Sequence, residues 1–283
     1  MNIKDALIWG ETILKESEVE GAKPSALFLL SEIICQDKVY MITHDNIQLT
    51  EEQLAIYQQW IERRSKHEPV WYITGKIEFG SLALAVNNHV LIPRPETEIL
   101  IERIKLDYNN YHRKLKVLDV GTGSGTIILS LAKHFQDKAI FFASDISKDA
   151  LEIALRNAAL NDLSHLVEFR QGNLFNPWAG MKFDIVVANL PYVPHEDMST
   201  LAPDLLKYEP HLALDGGRAG IEIYKIFLSE LSNYLEQKAR VYLEIGYEQG
   251  KLIKNIVQKF IPKTKVTIVK DYSNIDRIVI IES

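Results

Sequence analysis

Four consecutive residues in the second half of the chain, Asn189-Leu190-Pro191-Tyr192, have the side chains and the backbone needed to hold a flat amino group. They follow the apolar run at residues 183–188, which is typical of a buried strand, so they stand at a strand's carboxyl end. The side-chain oxygen of Asn189 and the backbone carbonyl of Leu190 can accept hydrogen bonds from an NH2 group, while the ring of Tyr192 packs against its plane. The tetrad predicts a site for an adenine amino group or a glutamine side-chain amide. Alone it leaves that choice open, and a strand followed by a plain proline turn is the alternative.

A glycine-rich loop earlier in the chain predicts a place where a ligand comes close to the backbone. The run Gly121-Thr122-Gly123-Ser124-Gly125 follows an apolar strand at residues 116–120 and precedes an apolar helix. Glycine lets the chain turn sharply and leaves room for a ligand against the backbone. The dinucleotide fingerprint G-x-G-x-x-G would need glycine at position 126, where Thr126 stands, so the spacing disfavours an NAD site. The loop alone is a weak signal, because a tight strand-to-helix turn would look the same.

Two more strand ends carry residues suited to an adenosine. Asp145 ends the second apolar strand, where an acid can accept hydrogen bonds from both ribose hydroxyls and repel a 2′-phosphate; it could also cap the following helix. Asn173 follows the third strand and could read the adenine amino group, with Leu174 and Phe175 beside the ring. Because parallel strands end at the same edge of a sheet, these residues and the glycine loop are predicted to share one crevice.

The elements that must position these residues form an α/β pattern in the second part of the chain. Apolar strands alternate with helical stretches, which predicts a parallel sheet with helices on both faces. The last two strands are separated by too few residues for a parallel crossover, so they should form an antiparallel hairpin. The predicted fold is a seven-stranded, mostly parallel, doubly wound Rossmann-like sheet whose last strand is antiparallel. The predicted strands are residues 116–120, 140–145, 167–171, 183–189, 241–245, 265–271 and 277–282.

The first part of the chain predicts a small helical bundle and a linker. Over residues 1–70 apolar residues recur at helical spacing, Pro24 suits the first turn of a helix, and Thr50 with Gln53 has the spacing of a capping box. Residues 71–97 are predicted to be a β-hairpin linker, in which a turn at Asn87-Asn88 joins two apolar runs. The predicted domains are therefore 1–70, 71–97 and 98–283.

The composition is that of an ordinary globular protein: of 283 residues, 47% are apolar and 25% charged, with a net charge of −6. No apolar run approaches the ~20 residues that a membrane helix needs. The first residues lack the pattern of a signal peptide, and the one cysteine, Cys35, suits a reducing compartment. These features predict a cytoplasmic protein without a membrane partner. The acidic balance argues against direct nucleic-acid binding, which usually needs a basic face.

The order of glycine loop, acid, Asn-Leu pair and tetrad resembles the class I S-adenosylmethionine-dependent methyltransferases. The resemblance implies S-adenosyl-L-methionine as cofactor and S-adenosyl-L-homocysteine as product. No metal is predicted, because a sulfonium is already activated and the eight histidines show no pair at metal-ligand spacing. The acceptor limits the reaction, because the lone pair of an amide or adenine nitrogen is delocalised and the nitrogen is therefore a poor nucleophile. Hydrogen bonds accepted by Asn189 and Leu190 would orient that nitrogen and stabilise the charge that develops on it.

Three longer stretches, residues 68–100, 208–224 and 243–250, resemble segments of the release factor glutamine methyltransferases, the PrmC/HemK family. The helical N-terminal region and the domain order also match, so the resemblance covers essentially the full length. It implies methylation of the side-chain amide N(5) of the glutamine in the Gly-Gly-Gln motif of class I peptide chain release factors. The release factor is then the expected partner, the N-terminal helices are predicted to grip it, and a monomer is expected.

The resemblance also implies roles by position. Gly121 to Gly125 would hold the methionine end of the cofactor, Asp145 its ribose, and Asn173 with Leu174 its adenine. Asn189 to Tyr192 would hold the substrate glutamine, with Asn189 also touching the cofactor. Residues that would border the cofactor less directly are Arg94, Glu96 and Thr97.

Two positions depart from the family pattern, and other acceptors stay open. Leu190 stands where the tetrad usually has proline; it keeps the carbonyl but frees φ and adds an N–H that needs a partner. Asn173 stands where the family commonly has aspartate. The alternatives are a glutamine methyltransferase of a ribosomal protein, a ribosomal RNA adenine N-methyltransferase, and a non-catalytic scaffold. Asp215-Gly216-Gly217 is predicted to be a turn, and Glu244 a strand-end residue that could play a supporting role.

Overall fold

The computed structural model describes residues 1–109 and 113–283, which form two compact units. The first unit contains residues 1–76 and 202–208, and the second contains residues 77–201 and 209–283. Within these described ranges, every helix is too short or too polar to cross a membrane.

The first unit is helical, as predicted. Thr50 and Gln53 form the predicted capping box: the N–H of Gln53 donates to Thr50 Oγ1 (3.1 Å) and the N–H of Thr50 donates to Gln53 Oε1 (3.0 Å). Tyr57 is fully buried at the centre, and its hydroxyl donates to the carbonyl of Ala26 (3.2 Å). The helices are α1 (Ile3–Glu16), α2 (Ala22–Ile34), α3 (Lys38–Thr43), α4 (Glu51–Ser65) and α5 (Val70–Thr74).

The hairpin of the linker lies earlier in the chain than predicted. Strand β1 (Lys76–Phe79) pairs with β2 (Leu82–Ala85), and the turn is at Gly80, whose φ is +53°. The prediction that a turn at Asn87-Asn88 joins the two strands of the hairpin is wrong. The strands are joined at Gly80, since glycine takes a positive φ at no steric cost. Asn87 instead holds an irregular turn, in which its side chain accepts a hydrogen bond from the N–H of His89 (3.0 Å).

The second unit alternates strands and helices. Its strands, in the described part of the chain, are β3 (Leu115–Val120), β4 (Ala139–Asp145), β5 (Val167–Gln171), β6 (Phe183–Ala188), β7 (Leu235–Glu244), β8 (Lys265–Lys270) and β9 (Asp276–Glu282). The remaining helices of the chain are α6 (Glu96–Tyr108), α7 (Thr126–Phe135), α8 (Lys148–Leu160), α9 (Pro203–Tyr208), α10 (Glu222–Leu231) and α11 (Gly250–Phe260), of which α9 belongs to the first unit.

These strands form one sheet in the order β5-β4-β3-β6-β7-β9-β8. Neighbouring strands from β5 through β7 are parallel, whereas β9 is antiparallel to both β7 and β8. The predicted fold class is confirmed. The central strand β6 is buried at every position, which is why it reads as an unbroken apolar run rather than an alternating one.

The register of the sheet brings four strand ends together. Val120 at the end of β3 pairs with Ser144 on one side and with Ala188 on the other, while Asp145 pairs with Gln171. The loops that follow β3, β4, β5 and β6 therefore leave the sheet at the same edge. Such an edge is where open α/β sheets bind their ligands.

Candidate active site

Residues that follow these four strand ends line a cavity of about 340 Å³. Cofactor and small-molecule sites are typically about 300–1,000 Å³. The lining contains most of the predicted site residues, namely Gly121, Thr122, Gly123, Ser124, Asp145, Asn173, Leu174, Asn189, Leu190 and Pro191, together with Arg94 and Thr97. Gly125, Tyr192 and Glu96 lie outside the lining: Gly125 caps α7, and the ring of Tyr192 packs against the apolar core.

The backbone N–H groups at the start of the glycine loop are directed at the protein itself. Gly121 and Thr122 donate to the carbonyl of Ser144 (2.8 and 3.0 Å), and Gly123 donates to Asp145 Oδ2 (2.8 Å). A loop that cradles a phosphate has to turn such N–H groups toward the ligand. The geometry therefore disfavours a dinucleotide pyrophosphate and ties the loop to the end of β4.

The loop also touches the tetrad. Gly121 has a φ of +75°, and a Cβ placed there would stand 3.0 Å from Leu190 Cδ2. Glycine is thus needed at this position both for its conformation and for the close approach of Leu190.

Two acidic side chains lie at this end of the cavity, Asp145 in its wall and Asp119 beneath the glycine loop. Asp145 accepts from the N–H groups of Gly123 and Ser147, so it holds the glycine loop to the end of β4. The cap of α8 is Ser147, whose Oγ accepts from the N–H of Ala150 (3.2 Å), so the suggestion that Asp145 caps this helix is wrong. Asp119 lies buried beneath the loop; Thr122 donates to its Oδ2 (2.7 Å), and its Oδ1 has no hydrogen-bond partner among the described residues. Burial raises the pKa of Asp119 to about 7, with Asp145 adding to the rise. Asp145 lines the cavity, and an acid there suits a ligand with a cationic group and hydroxyls, such as S-adenosylmethionine, better than a phosphate.

The stretch after β5 presents Leu174 to the cavity. Leu174 has a φ of +46°, which is rare for a residue other than glycine, and its carbonyl accepts from Ser144 Oγ (3.3 Å). Asn173 lines the cavity and is otherwise exposed. The prediction that Phe175 lies beside an adenine ring is wrong: it is fully buried and stacks on Tyr234, with ring centroids 4.6 Å apart.

The backbone after the tetrad is clamped by residues 214–220. The N–H of Val193 donates to the carbonyl of Leu214 (2.9 Å), and the N–H of Gly216 donates back to the carbonyl of Val193 (2.9 Å). A Cβ on Gly216 would stand 2.6 Å from the carbonyl oxygen of Pro191, and one on Gly220 would stand 2.0 Å from that of Tyr192. The predicted turn at residues 215–217 is therefore also a packing surface that admits only glycine against the tetrad.

Gln249 holds the same backbone from another side. Its Nε2 donates to the carbonyl of Tyr192 (2.8 Å) and to that of Gly220 (3.2 Å), while its Oε1 accepts from the N–H of Gly246 (2.9 Å). Gln249 is buried, so these bonds satisfy its amide without water.

Glu244 lies at the end of β7, next to the first residue of the tetrad. Its neighbour Leu243 pairs with Ala188, which brings Glu244 level with Asn189. The carboxylate accepts from Thr97 Oγ1 (2.7 Å), and the Asn189 side chain lies close enough to lower the pKa of Glu244. A carboxylate favours the NH2 end of a neighbouring amide, which leaves the side-chain oxygen of Asn189 for another donor. Thr97, predicted to border a cofactor, thus also supports Glu244.

A buried ion pair holds one wall of the cavity. Glu209 is buried; Arg94, which lines the cavity, donates to Glu209 Oε1, and the N–H of Ile92 donates to Oε2 (3.3 Å). A buried charge is tolerated when it is paired and hydrogen-bonded in this way. The pair fixes the segment that leads into α6 and Thr97.

Comparisons with known proteins agree along the whole chain. Residues 5–75 match a family described as PrmC N-terminal domain, and residues 111–273 match a methyltransferase domain. A release factor glutamine methyltransferase of Clostridium acetobutylicum is 37% identical over 284 residues, which are 99% of this chain and 98% of that protein. The protein of that name from Bacillus cereus is 35% identical, covering 100% of this chain and 99% of its own length.

The chain belongs to the release factor glutamine methyltransferase family. A crystal structure of a methyltransferase from Pyrococcus furiosus is 17% identical with a TM-score of 0.52, and covers 71% of this chain and 88% of its own. That likeness shows the shared fold of the sheet and its helices.

Four residues of this methyltransferase site were not singled out from the sequence: Asp119, Glu209, Gln249 and Tyr224, whose hydroxyl oxygen accepts from the N–H of Leu190 (3.2 Å). Glu209, Tyr224 and Gln249 lie in the stretches 208–224 and 243–250, which resembled the family only as blocks. The usable signal was a polar side chain inside an apolar run, as with Tyr224 in an apolar helix. Such a residue needs a buried hydrogen-bond partner, but the sequence does not show which residue that partner is.

Within residues 1–109 and 113–283, no group of three or more His, Cys, Asp or Glu side chains is placed to hold a metal ion. The absence of a metal from the reaction stays a prediction that rests on the chemistry of the sulfonium.

Glu244 gives the methyltransferase a testable pH dependence. Burial raises its pKa from 4.5 to about 7, against the hydrogen bonds from Thr97 and Asn189. Protonation removes an acceptor for the Asn189 amide, so we expect kcat at saturating cofactor to fall about tenfold from pH 8 to pH 6. Glu244→Gln should be slower at pH 8 and should lose this dependence; an unchanged pH profile in the variant would contradict the assignment.

Stability should change in the opposite direction. A carboxyl whose pKa is raised in the folded state favours folding when it is protonated. The contribution of Glu244 to stability is therefore present below pH 4.5 and lost as the pH rises through about 7. Thermal melting of wild type and Glu244→Gln at pH 6 and pH 8 measures this, and the variant should gain relative stability at pH 8.

Proposed function

We propose that this protein transfers the methyl group of S-adenosylmethionine to the side-chain amide nitrogen N(5) of the glutamine in the Gly-Gly-Gln motif of class I peptide chain release factors. The observation that carries the proposal is the state of the tetrad at the cavity. Asn189 and Leu190 both line the cavity, and the nearby Glu244 carboxylate favours the orientation of the Asn189 amide in which its oxygen is left for a substrate amide. The names of its relatives along the full length support the glutamine of a release factor as the acceptor.

The cofactor would lie against the strand ends of β3, β4 and β5. Asp145 would accept from the ribose hydroxyls, Leu174 and Asn173 would contact the adenine, and residues 121–125 would border the methionine end. The carboxylate of Asp145 in the cavity wall favours its cationic groups. When bound, S-adenosylmethionine supplies an electrophilic methyl group on a sulfonium, whose thioether leaving group, S-adenosylhomocysteine, needs no metal.

The acceptor amide would be held by two hydrogen-bond acceptors of the tetrad. One N–H of the glutamine would donate to the Asn189 side-chain oxygen and the other to the Leu190 carbonyl. These bonds pull electron density toward the nitrogen, aim its lone pair at the methyl group and stabilise the positive charge that appears as the N–C bond forms. The nitrogen then carries an acidic proton, which is lost to water once the methyl group has arrived, so no strong base is required.

The test is an acceptor comparison with labelled S-adenosylmethionine. Purified protein is given a class I release factor, the same factor with Gly-Gly-Ala in place of Gly-Gly-Gln, ribosomal protein, or ribosomal RNA. We expect label only on the Gly-Gly-Gln protein. Label on ribosomal protein or RNA and none on the release factor would reject the proposed substrate.

We further propose that residues 1–70 recognise the release factor, that 71–97 are a hairpin linker, that 98–283 carry methyl transfer, and that the protein acts as a monomer in the cytoplasm. Removing residues 1–70 should abolish methylation of a whole release factor but leave the affinity for S-adenosylmethionine largely intact. Titration of the truncated protein with the cofactor, beside the same acceptor assay, measures both. Equal loss of cofactor binding would argue against a separate recognition role. A sedimentation experiment tests the monomer.

A further inference from the structure

Leu190 carries a backbone N–H that a proline at this position would lack, and this N–H is buried. Leu190 is 4% exposed, and its N–H donates to the hydroxyl oxygen of Tyr224 (3.2 Å). Tyr224 is fully buried in α10. The extra donor of the tetrad is therefore satisfied by one side chain, 34 residues away in the sequence.

The same hydroxyl has a single proton, and the geometry decides where it goes. The carbonyl of Glu244 is in very close contact with the Tyr224 hydroxyl, whereas the carbonyl of Leu190 is 3.4 Å away. The proton therefore points at Glu244, and the hydroxyl oxygen receives the N–H of Leu190. Burial raises the pKa of Tyr224 well above its ordinary value, so the hydroxyl stays protonated. The carbonyl of Leu190 keeps its lone pairs for the substrate.

This bond acts on the torsion angle that a proline ring would fix. The ring of proline locks φ, and Pro191 already confines Leu190 to extended conformations through ψ. At Leu190 φ is free in principle, but the N–H on one side of the N–Cα bond is anchored to Tyr224. Since both φ and ψ of Leu190 are restrained, its carbonyl group is held in one orientation.

We propose that Tyr224 is a positioning residue for methyl transfer: by accepting the N–H of Leu190 it supplies the restraint that proline would give, and it aims the Leu190 carbonyl at the substrate amide. The second half of this statement rests on the proposed function. The hydrogen bond itself does not.

A double-mutant cycle tests the proposal in the full-length protein. Tyr224→Phe is made in wild type, in Leu190→Pro, which has no N–H, and in Leu190→Ala, which keeps the N–H and serves as the matched control. The bond from Tyr224 to Glu244 is lost in every pair, so it cancels. We expect Tyr224→Phe to lower kcat at saturating cofactor about tenfold in wild type and in Leu190→Ala, but much less in Leu190→Pro. The KM for S-adenosylmethionine should not change.

An equal loss of kcat in all three backgrounds would overturn the proposal, since it would mean that Tyr224 acts only through Glu244 or through general packing. Thermal melting measures the loss of stability that Tyr224→Phe causes apart from its effect on kcat, and this loss is expected to be similar in the three backgrounds.

Amide hydrogen exchange gives a readout that needs no substrate. In 15N-leucine-labelled wild type, the Leu190 signal is the one absent from Leu190→Ala. We expect slow exchange in wild type and about tenfold faster exchange in Tyr224→Phe. Exchange of the wild-type Leu190 amide as fast as an exposed one would overturn the hydrogen bond. Slow exchange without turnover of release factor would instead count against the proposed function alone.

Discussion

Replacing Asn189 with alanine is expected to lower kcat about 100- to 1,000-fold, the usual effect of removing one hydrogen-bonding group that stabilises a developing charge. The side-chain oxygen of Asn189 is positioned by Glu244, so its loss removes an acceptor already aligned for the substrate. The affinity for S-adenosylmethionine should fall far less, because the glycine loop and Asp145 are held by the end of β4.

Single-turnover kinetics with saturating cofactor, and a cofactor titration, measure the two effects separately. Asn255→Ala is the matched control, since Asn255 is an exposed asparagine on α11. A variant at Asn189 that keeps wild-type kcat and loses only cofactor affinity would show that the tetrad serves the cofactor rather than the acceptor.

Gly220→Ala is expected to cost several kcal/mol of stability and most of the activity. Gly220 has a φ of +66°, and a Cβ there would lie 2.0 Å from the carbonyl oxygen of Tyr192 and 2.6 Å from Gln249 Nε2. The carbonyl cannot retreat without moving the tetrad, and Gln249 would lose its bond to Tyr192. A loss of about 3 kcal/mol corresponds to a fall in Tm of roughly 6–12 °C for a domain of this size.

Gly180→Ala provides the matched control. Gly180 has a similar φ of +80°, but a Cβ there meets nothing within 4 Å. Its cost is the left-handed conformation alone, about 1–2 kcal/mol. Melting curves of the two variants, with kcat measured below both transitions, separate backbone strain from the clash. Equal falls in Tm, with activity intact in Gly220→Ala, would contradict the proposed clamp on the tetrad.

Local patterns in the sequence were enough to predict most strands and the candidate site residues that follow their carboxyl ends. The buried run of β6 follows from its almost continuous apolar character, and β5 from the alternation of Val167 and Phe169 with polar residues. Strand β7 begins at Leu235, six residues before the predicted start at residue 241. Its first part was not predicted because it contains charged residues, among them Lys238, whose φ is positive. The hairpin was misplaced because β1 has only four residues, two of them charged, which is too short an alternation to stand out as a strand.

The hydrogen bonds that hold the site residues in place could not be predicted from local patterns in the sequence. Thr97 and Glu244 are 147 residues apart, and Tyr192 and Gln249 are 57 apart. Neither member of such a pair has a neighbour in sequence that identifies the other. Their meeting depends on the strand order, in which β7 enters beside β6 only after the chain has passed through residues 209–231.

By itself, the sequence determined the chemistry of the acceptor site: an amide side chain, a carbonyl and a restrained Leu190 at the end of a buried strand. It also determined that Leu190 brings an N–H in need of a partner. Only the tertiary structure decided that this partner is Tyr224, that Glu244 turns the Asn189 amide, and that Gly216 and Gly220 close on the tetrad. The physical reason is that torsion preferences act between adjacent residues, whereas the partner of a buried polar group is set by which elements pack together.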